Sequence, residues 1–277
     1  MSGTDELPDP PQRAVHRQDG TLLVIDYTGR RVEAPVSALK LDDEGYRVEY
    51  LLDLPNPTEL TAAGYAKALR QGRGFADEDV QGVLAYCMAA PIAQELAAAV
   101  SAATDQPVPL VVFDGAPATA EAVNSEYQLA RAKMWAFAAD APYDHHPGEV
   151  FSEDELRSSS SAVVERMRAG LRESAERAAR SDGARSDIDE DEAEYLIEVF
   201  IDWLVHLVAA HNAAWSQWPG PLFQIVSRDT DAVDDWPGAT GVQVLRMSSS
   251  RRDLLRDPQV RAAVLSFLSS ATRKAVV

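Results

Sequence analysis

The sequence has a single cysteine, Cys87. An internal disulfide is therefore excluded, and a reducing compartment, the cytoplasm, is expected. No apolar run reaches the ~18–20 residues that span a bilayer, so no membrane segment is expected. Basic charge is also short. The net charge is -18 over 277 residues, the wrong sign for a nucleic-acid partner, and it mainly implies solubility. Met1 to Arg13 is polar and rich in Asp and Pro, without the apolar stretch of a signal peptide. Metal-ligand clusters, a phosphate-binding glycine loop and internal repeats are all lacking. Histidine is scarce at 5 residues, and none follows His211.

What is there suffices for one large domain: 46% of residues are hydrophobic and 25% are charged. Residues 1 to about 18 read as a disordered leader and 19–277 as a single domain. Thr21–Tyr27, Tyr46–Leu52, Gly82–Tyr86 and Val108–Phe113 read as strands. A helix is expected from Pro57 to about Arg70, with Asn56 as N-cap and Pro57 at the first helical position. Another runs from Met88 to Ala103. Strands alternating with helices predict a mainly parallel sheet flanked by helices, an α/β fold.

From about 119 to 218 no convincing strand is found. Helices are predicted over Thr119–Asp140, from a Ser152 cap to about Ser181, and over Glu192–Trp215. This block reads as a helical insertion, a lid, between strands. His145 and His146 lie in the loop that enters it. His206 and His211 read as helix histidines with partners of their own, where the block meets the core. Leu222–Ser227 and Val242–Met247 resume the sheet. A turn, Ser248–Arg252, and a closing helix from Asp257–Pro258 to about Ser269 complete the chain.

The chain is organised around Gly82–Leu96. An apolar run enters this stretch and an alanine-rich helical run leaves it, with small residues two before and two after Cys87. That is the layout of a nucleophile elbow, in which a strand turns sharply into a helix and lifts one side chain above the sheet. The usual Gly-x-Ser-x-Gly reads Ala85-Tyr86-Cys87-Met88-Ala89. The plainer reading is a buried strand-to-helix junction whose thiol is packing.

In order, the elements resemble the α/β-hydrolase thioesterases that release chains from polyketide and nonribosomal peptide synthetases. Four segments carry the resemblance. Leu23–Gly29 is similar to the first core strand and oxyanion turn, and Tyr86–Leu96 to the elbow and its helix. Val111–Pro117 is similar to the strand ending in the triad acid, and Leu254–Val260 to the segment after the triad histidine. The resemblance implies an acyl or peptidyl carrier protein with its phosphopantetheine arm as partner, and no cofactor or metal. It also implies Cys87 as nucleophile, Asp114 as acid, and an oxyanion hole from Met88 with Tyr27 or Thr28. Asp229 and Asp231 lie near the acid position of most other α/β-hydrolases, though an acidic surface loop is the simpler account of them.

The departures matter more. The histidine slot falls at or beside Arg251. A guanidinium is always protonated and cannot act as base, so the usual general-base route is missing. A thiol partly compensates, since thiols ionise near pH 8.5 and lower beside a cation or a helix N-terminus. The alternative base is one from the lid, His145 or His146. Two expectations stand side by side. One is an enzyme of natural-product biosynthesis in which Cys87 accepts an acyl group and, water being poorly activated, passes it to an amine or thiol. The other is an inactive thioesterase-like fold that binds an acyl ligand or a partner protein. From Arg246 onward there are seven basic and two acidic residues, mainly a solvated helical face but also a possible local patch for a carrier.

Overall fold

The computed structural model describes residues 20–28, 31–52, 56–140, 142–143, 148–181, 183–185 and 189–275. Its centre is one six-stranded sheet: β1 (Thr21–Ile25), β2 (Arg47–Tyr50), β3 (Val80–Tyr86), β4 (Leu110–Phe113), β5 (Leu222–Val226) and β6 (Val242–Arg246). The strand order is β2-β1-β3-β4-β5-β6 and every pairing is parallel. The expected fold class, α/β with a mainly parallel sheet flanked by helices, is the one observed. The leader, residues 1–18, lies outside the described residues.

The sheet is buried on both faces, which is why its central strands read as continuous apolar runs. Side chains alternate between two cores. Leu23, Ile25, Val83, Ala85, Leu110 and Val112 face one. Leu22, Val24, Leu84, Tyr86, Val111 and Phe113 face the other. The first core is covered by α1 (Ala62–Arg70) and α2 (Ala90–Thr104), and beyond them by α3 (Ala120–Ala138), α4 (Glu153–Ser158), α5 (Ser160–Ala179) and α6 (Glu190–His211). The second is covered by α7 (Pro258–Ala275), short 3-10 turns at Val36–Leu39 and Leu41–Glu44, and Leu254 and Leu255. α2 is apolar on nearly all sides, so it lies inside. No described helix is long and apolar enough to cross a membrane.

Two helices differ from expectation, one in its start and one in its continuity. α1 begins at Ala62, where the Thr61 side chain accepts the Gly64 N–H at 3.2 Å. Asn56 is not a cap; its side-chain amide donates to the Tyr27 hydroxyl at 3.2 Å. The helix expected from Ser152 is two helices. Ser152 caps the first in a full capping box with Glu155. The chain leaves helical geometry at Ser159, φ -136. Four consecutive serines, 158–161, compete for helix carbonyls there: Ser158 Oγ donates to Asp154 O at 2.6 Å and Ser160 Oγ to Leu156 O at 2.7 Å.

Among the described residues, 119–218 contains no strand, only isolated bridges, Ala139 with Ala184 and Trp218 with Ala239. α3, α5 and α6 pack against one another, and α6 also touches α1, α2 and the turn at Cys87–Ala89. Tyr127 of α3 needs the missing side chain of Gly170 in α5: a Cβ there would meet the Tyr127 hydroxyl at 1.9 Å. At the far end of α6, His211 Nε2 lies 2.7 Å from Glu153, and the Asn212 amide donates to Leu60 O and Leu156 O, both at 2.9 Å.

Candidate active site

The carboxyl ends of β1, β3, β4 and β5 gather the candidate residues. In open parallel sheets this edge is where ligands bind. Register explains the gathering. Tyr86 pairs with Phe113, so the residues that follow them, Cys87 and Asp114, leave neighbouring strands side by side. Both turn sharply, with positive φ of 55° and 46°, a region uncommon for side chains other than Gly and Asn. At Cys87 the strand passes through a single 3-10 turn, Cys87–Ala89, straight into α2. Ala85 and Ala89 are buried against this turn, which accounts for their size.

The turn after β6 brings Arg251 onto the same spot. Arg251 Nη2 donates to the Cys87 sulfur at 2.9 Å and Nε to the Tyr86 hydroxyl at 3.2 Å. Glu33 Oε1 lies 3.4 Å from Nε. The turn itself is stitched down. Asp229 Oδ2 accepts the Arg251 N–H at 2.8 Å, Arg228 N–H donates to Ser249 O at 3.1 Å, and Ala34 N–H donates to Arg252 O at 3.3 Å. Burial alone would lower the Arg251 pKa, but the Cys87 sulfur, Tyr86 and Asp114 outweigh it and hold the guanidinium charged. A second guanidinium, Arg31, lies over the Tyr86 ring with its Cζ 3.6 Å from the centroid. Asp26 holds it at 2.5 Å and also accepts the Val36 N–H at 2.7 Å. Burial pushes the Tyr86 phenol pKa up, against the pull of both arginines.

Asp114 is 1% exposed. Its Oδ1 accepts the Ser227 N–H at 2.7 Å, and its Oδ2 is buried with no hydrogen-bond partner. It thus ties β4 to β5 and lies near Arg251 without a hydrogen bond to it. Of the two aspartates after β5, Asp229 is bound into the Arg251 turn, whereas Asp231 is exposed in the loop. Met88 lies with Cys87 on the cavity wall, as does Tyr27. The Thr28 N–H already donates to Asp26 O at 3.0 Å. His145 and His146 lie outside the described residues. Among the described residues, no three His, Cys, Asp or Glu stand together to hold a metal.

A cavity of ≈ 420 Å³ opens beside Cys87, lined by Arg31, Glu33, Tyr86, Arg251, Glu126, Trp203 and His206 among others. Several of these were not singled out from the sequence. Trp203 lies in the helix expected over Glu192–Trp215, and its indole N–H donates to Glu126 at 3.0 Å. His206 corrects an expectation. It is fully buried, and neither ring nitrogen has a partner. Desolvation lowers its pKa to about 3, so the ring is neutral. His211 does have partners, Glu153 and Asn212. The signal available in the sequence was spacing: Trp203 and His206 are three apart on a helix and share a face. Several described residues of the basic tail are paired with acids. Arg261 pairs with Glu44 at 2.7 Å, Arg256 with Asp253 at 3.7 Å and Arg246 with Asp234 at 4.0 Å.

No protein-family model matches the sequence. No curated protein matches it either. Solved structures do. One is the RedJ thioesterase of the prodiginine biosynthetic pathway in Streptomyces coelicolor, at 18% identity and TM-score 0.44, covering 98% of this chain and 96% of that one. A second is the Vlm2 thioesterase domain bound with a dodecadepsipeptide, at 14% identity and TM-score 0.46, covering 90% of each chain. A third is a Bacillus megaterium epoxide hydrolase, at 13% identity and TM-score 0.42, covering 91% of this chain and 93% of that one. Thioesterases, the kind that the four segments resemble, are thus among the structures similar to this chain.

Proposed function

We propose that the protein takes an acyl or peptidyl group from a carrier-bound thioester onto Cys87 and passes it to an amine or thiol rather than to water. The observation that carries this reading is the contact between Arg251 Nη2 and the Cys87 sulfur at 2.9 Å, at a left-handed turn that opens on a cavity. The guanidinium N–H directed at the sulfur is a charge-assisted hydrogen-bond donor to it. The thiolate attacks the thioester carbonyl, the bond from carbon to the carrier sulfur breaks, and the carrier leaves as its thiolate. The oxyanion formed on the way is assigned to the Met88 N–H in the turn before α2, with Tyr27 also on the cavity wall. An amine or thiol then attacks the new thioester, the bond from carbon to the Cys87 sulfur breaks, Cys87 departs as thiolate, and the proton lost by the attacking group passes to solvent. Neither step needs a base as strongly as water attack does.

The phosphopantetheine arm of a carrier protein is the donor that the sequence resemblance suggests. The second reading is a binding protein. It is favoured by Asp114, whose Oδ1 is committed to the Ser227 N–H, with no histidine between it and Cys87 among the described residues.

The test is intact-mass measurement after mixing with an acyl-N-acetylcysteamine thioester. One acyl group on the wild-type protein and none on Cys87→Ala is expected. Absence of an adduct from several acyl classes, with ligand binding intact in Cys87→Ala, moves the protein to the binding class.

A further inference from the structure

The cavity beside Cys87 has two unlike ends. At one, Arg251 and Arg31 flank the Tyr86 ring. At the other, α6 contributes Trp203 and His206 and α3 contributes Glu126. The Trp203 and His206 rings stack with centroids 5.5 Å apart and 13° between planes. Tyr27 tilts against both, at 4.8 and 5.4 Å, and Tyr65 meets His206 edge-on at 5.3 Å. The result is a slot wall of rings packed on one another, with the polar His206 among them.

That polar group is His206. A neutral imidazole carries one N–H donor and one nitrogen acceptor, and both are buried here without a partner. Buried polar groups are nearly always hydrogen-bonded, so an orphan on a cavity wall points to what the cavity takes. The surrounding rings make no hydrogen bond to it: the Trp203 N–H donates to Glu126, and the Tyr65 hydroxyl is itself buried without a partner.

We propose that this end of the cavity selects an aryl acyl group bearing a ring hydroxyl, with the ring packed on Trp203 and Tyr27 and the hydroxyl hydrogen-bonded to His206. The choice of an acyl ligand rests on the function proposed above; the choice of a hydroxyaryl group rests on the slot. Aromatic walls favour a ring by stacking. A volume of ≈ 420 Å³ suits a small ligand and not a long chain. A plain aryl or alkyl group leaves His206 unpaired. A carboxylate would meet Glu126 at like charge, and a charged group of either sign would lose its hydration against a neutral ring.

The test separates this inference from the chemistry at Cys87. Calorimetric titration of Cys87→Ala compares 4-hydroxybenzoyl-, benzoyl- and octanoyl-N-acetylcysteamine. The hydroxybenzoyl thioester is expected to bind about tenfold tighter than the benzoyl one, the order of effect of one buried hydrogen bond. His206→Phe in the same background keeps a ring and should abolish that ratio without weakening the benzoyl ligand. His206→Gln, which restores a donor and an acceptor, should recover part of it. Thermal melts of each variant exclude misfolding as the cause. Equal affinity for the three ligands, absence of binding by any, or a ratio unchanged in His206→Phe overturns the inference. Acylation of wild-type Cys87 by all three at equal rates overturns it too, while leaving the function proposed for Cys87 standing. Selective binding in Cys87→Ala with no acylation of the wild type does the reverse.

Discussion

Cys87 and Asp114 follow register partners on adjacent strands, and both have left-handed backbone, with φ of 55° and 46°. Such backbone costs ~1–2 kcal/mol in a residue with a Cβ and little in glycine. Cys87→Gly should therefore be more stable than Cys87→Ala by about 0.5–1 kcal/mol after glycine's entropy is deducted. Denaturant melts of the two variants measure it. An alanine variant as stable as the glycine one means that the turn holds no strain.

Asp114 should matter first as an acceptor. Asp114→Ala leaves the buried Ser227 N–H without its partner and should cost about 1–3 kcal/mol. Asp114→Asn keeps an oxygen on that N–H and should stay much closer to the wild type. Equal losses in the two variants would show that charge, not the hydrogen bond to Ser227, is what the position supplies.

Arg251→Ala should slow alkylation of Cys87 by iodoacetamide near neutral pH by about tenfold or more, because a hydrogen bond to a charged partner is worth ~1.5–3 kcal/mol. Arg251→Lys should lie between, having a point charge without the planar fork that reaches both the sulfur and Tyr86. A rate unaltered in Arg251→Ala removes the guanidinium from the reactivity of the thiol.

Hydrolytic turnover of thioesters should be slow, with a stoichiometric burst followed by gradual release. A base beside the reacting carbon is worth ~10²–10⁴-fold, and Arg251 cannot serve as one. Arg251→His should raise the steady rate if Asp114 can orient the new ring. Fast steady hydrolysis by the unaltered protein, in stopped-flow assays, would place a base over Cys87 and contradict the transfer reading.

His206 should make the fold acid-sensitive. Its folded pKa is lowered by desolvation to about 3, while the unfolded ring titrates near 6.5. Between those values the unfolded chain binds the extra proton. Stability is therefore full above about pH 6.5 and falls as the pH drops toward 3, by up to ~1.4 kcal/mol per pH unit. Urea melts at pH 7 and pH 5 should show the loss, and His206→Phe should shrink it. An identical pH dependence in that variant would assign the acid sensitivity to the carboxylates.

Much of the fold was readable because the strands are apolar on both faces and bounded by polar turns, as in Val83–Tyr86 and Leu110–Phe113. The helix start at Thr61 was not, because Asn56-Pro57 carries the same local signal and only the Tyr27 hydroxyl decides where the Asn56 side chain goes. Cys87 and Arg251 stood out by position, one on the turn after a strand and one on the slot of a missing histidine. Arg31, Glu126 and Trp203 carried no such mark. Their roles arise from contacts across the fold, with Tyr86 in one case and with each other in the second. His206 misled for a related reason: nothing local distinguishes a histidine that has a partner from one that has none.

The chain divides the labour of the cavity between separate stretches. Cys87, Asp114 and Arg251 stand on the ends of the sheet, fixed by register and by main-chain hydrogen bonds, whereas Glu126, Trp203 and His206 come from α3 and α6. On the function and selectivity proposed above, reactivity and choice of ligand are encoded in different stretches of the chain. Substitutions at Glu126, Trp203 and His206 should then retune what the cavity admits more than they alter the contact between Arg251 and the Cys87 sulfur. A family of variants differing only between residues 119 and 218 would share one chemistry and sort by cargo.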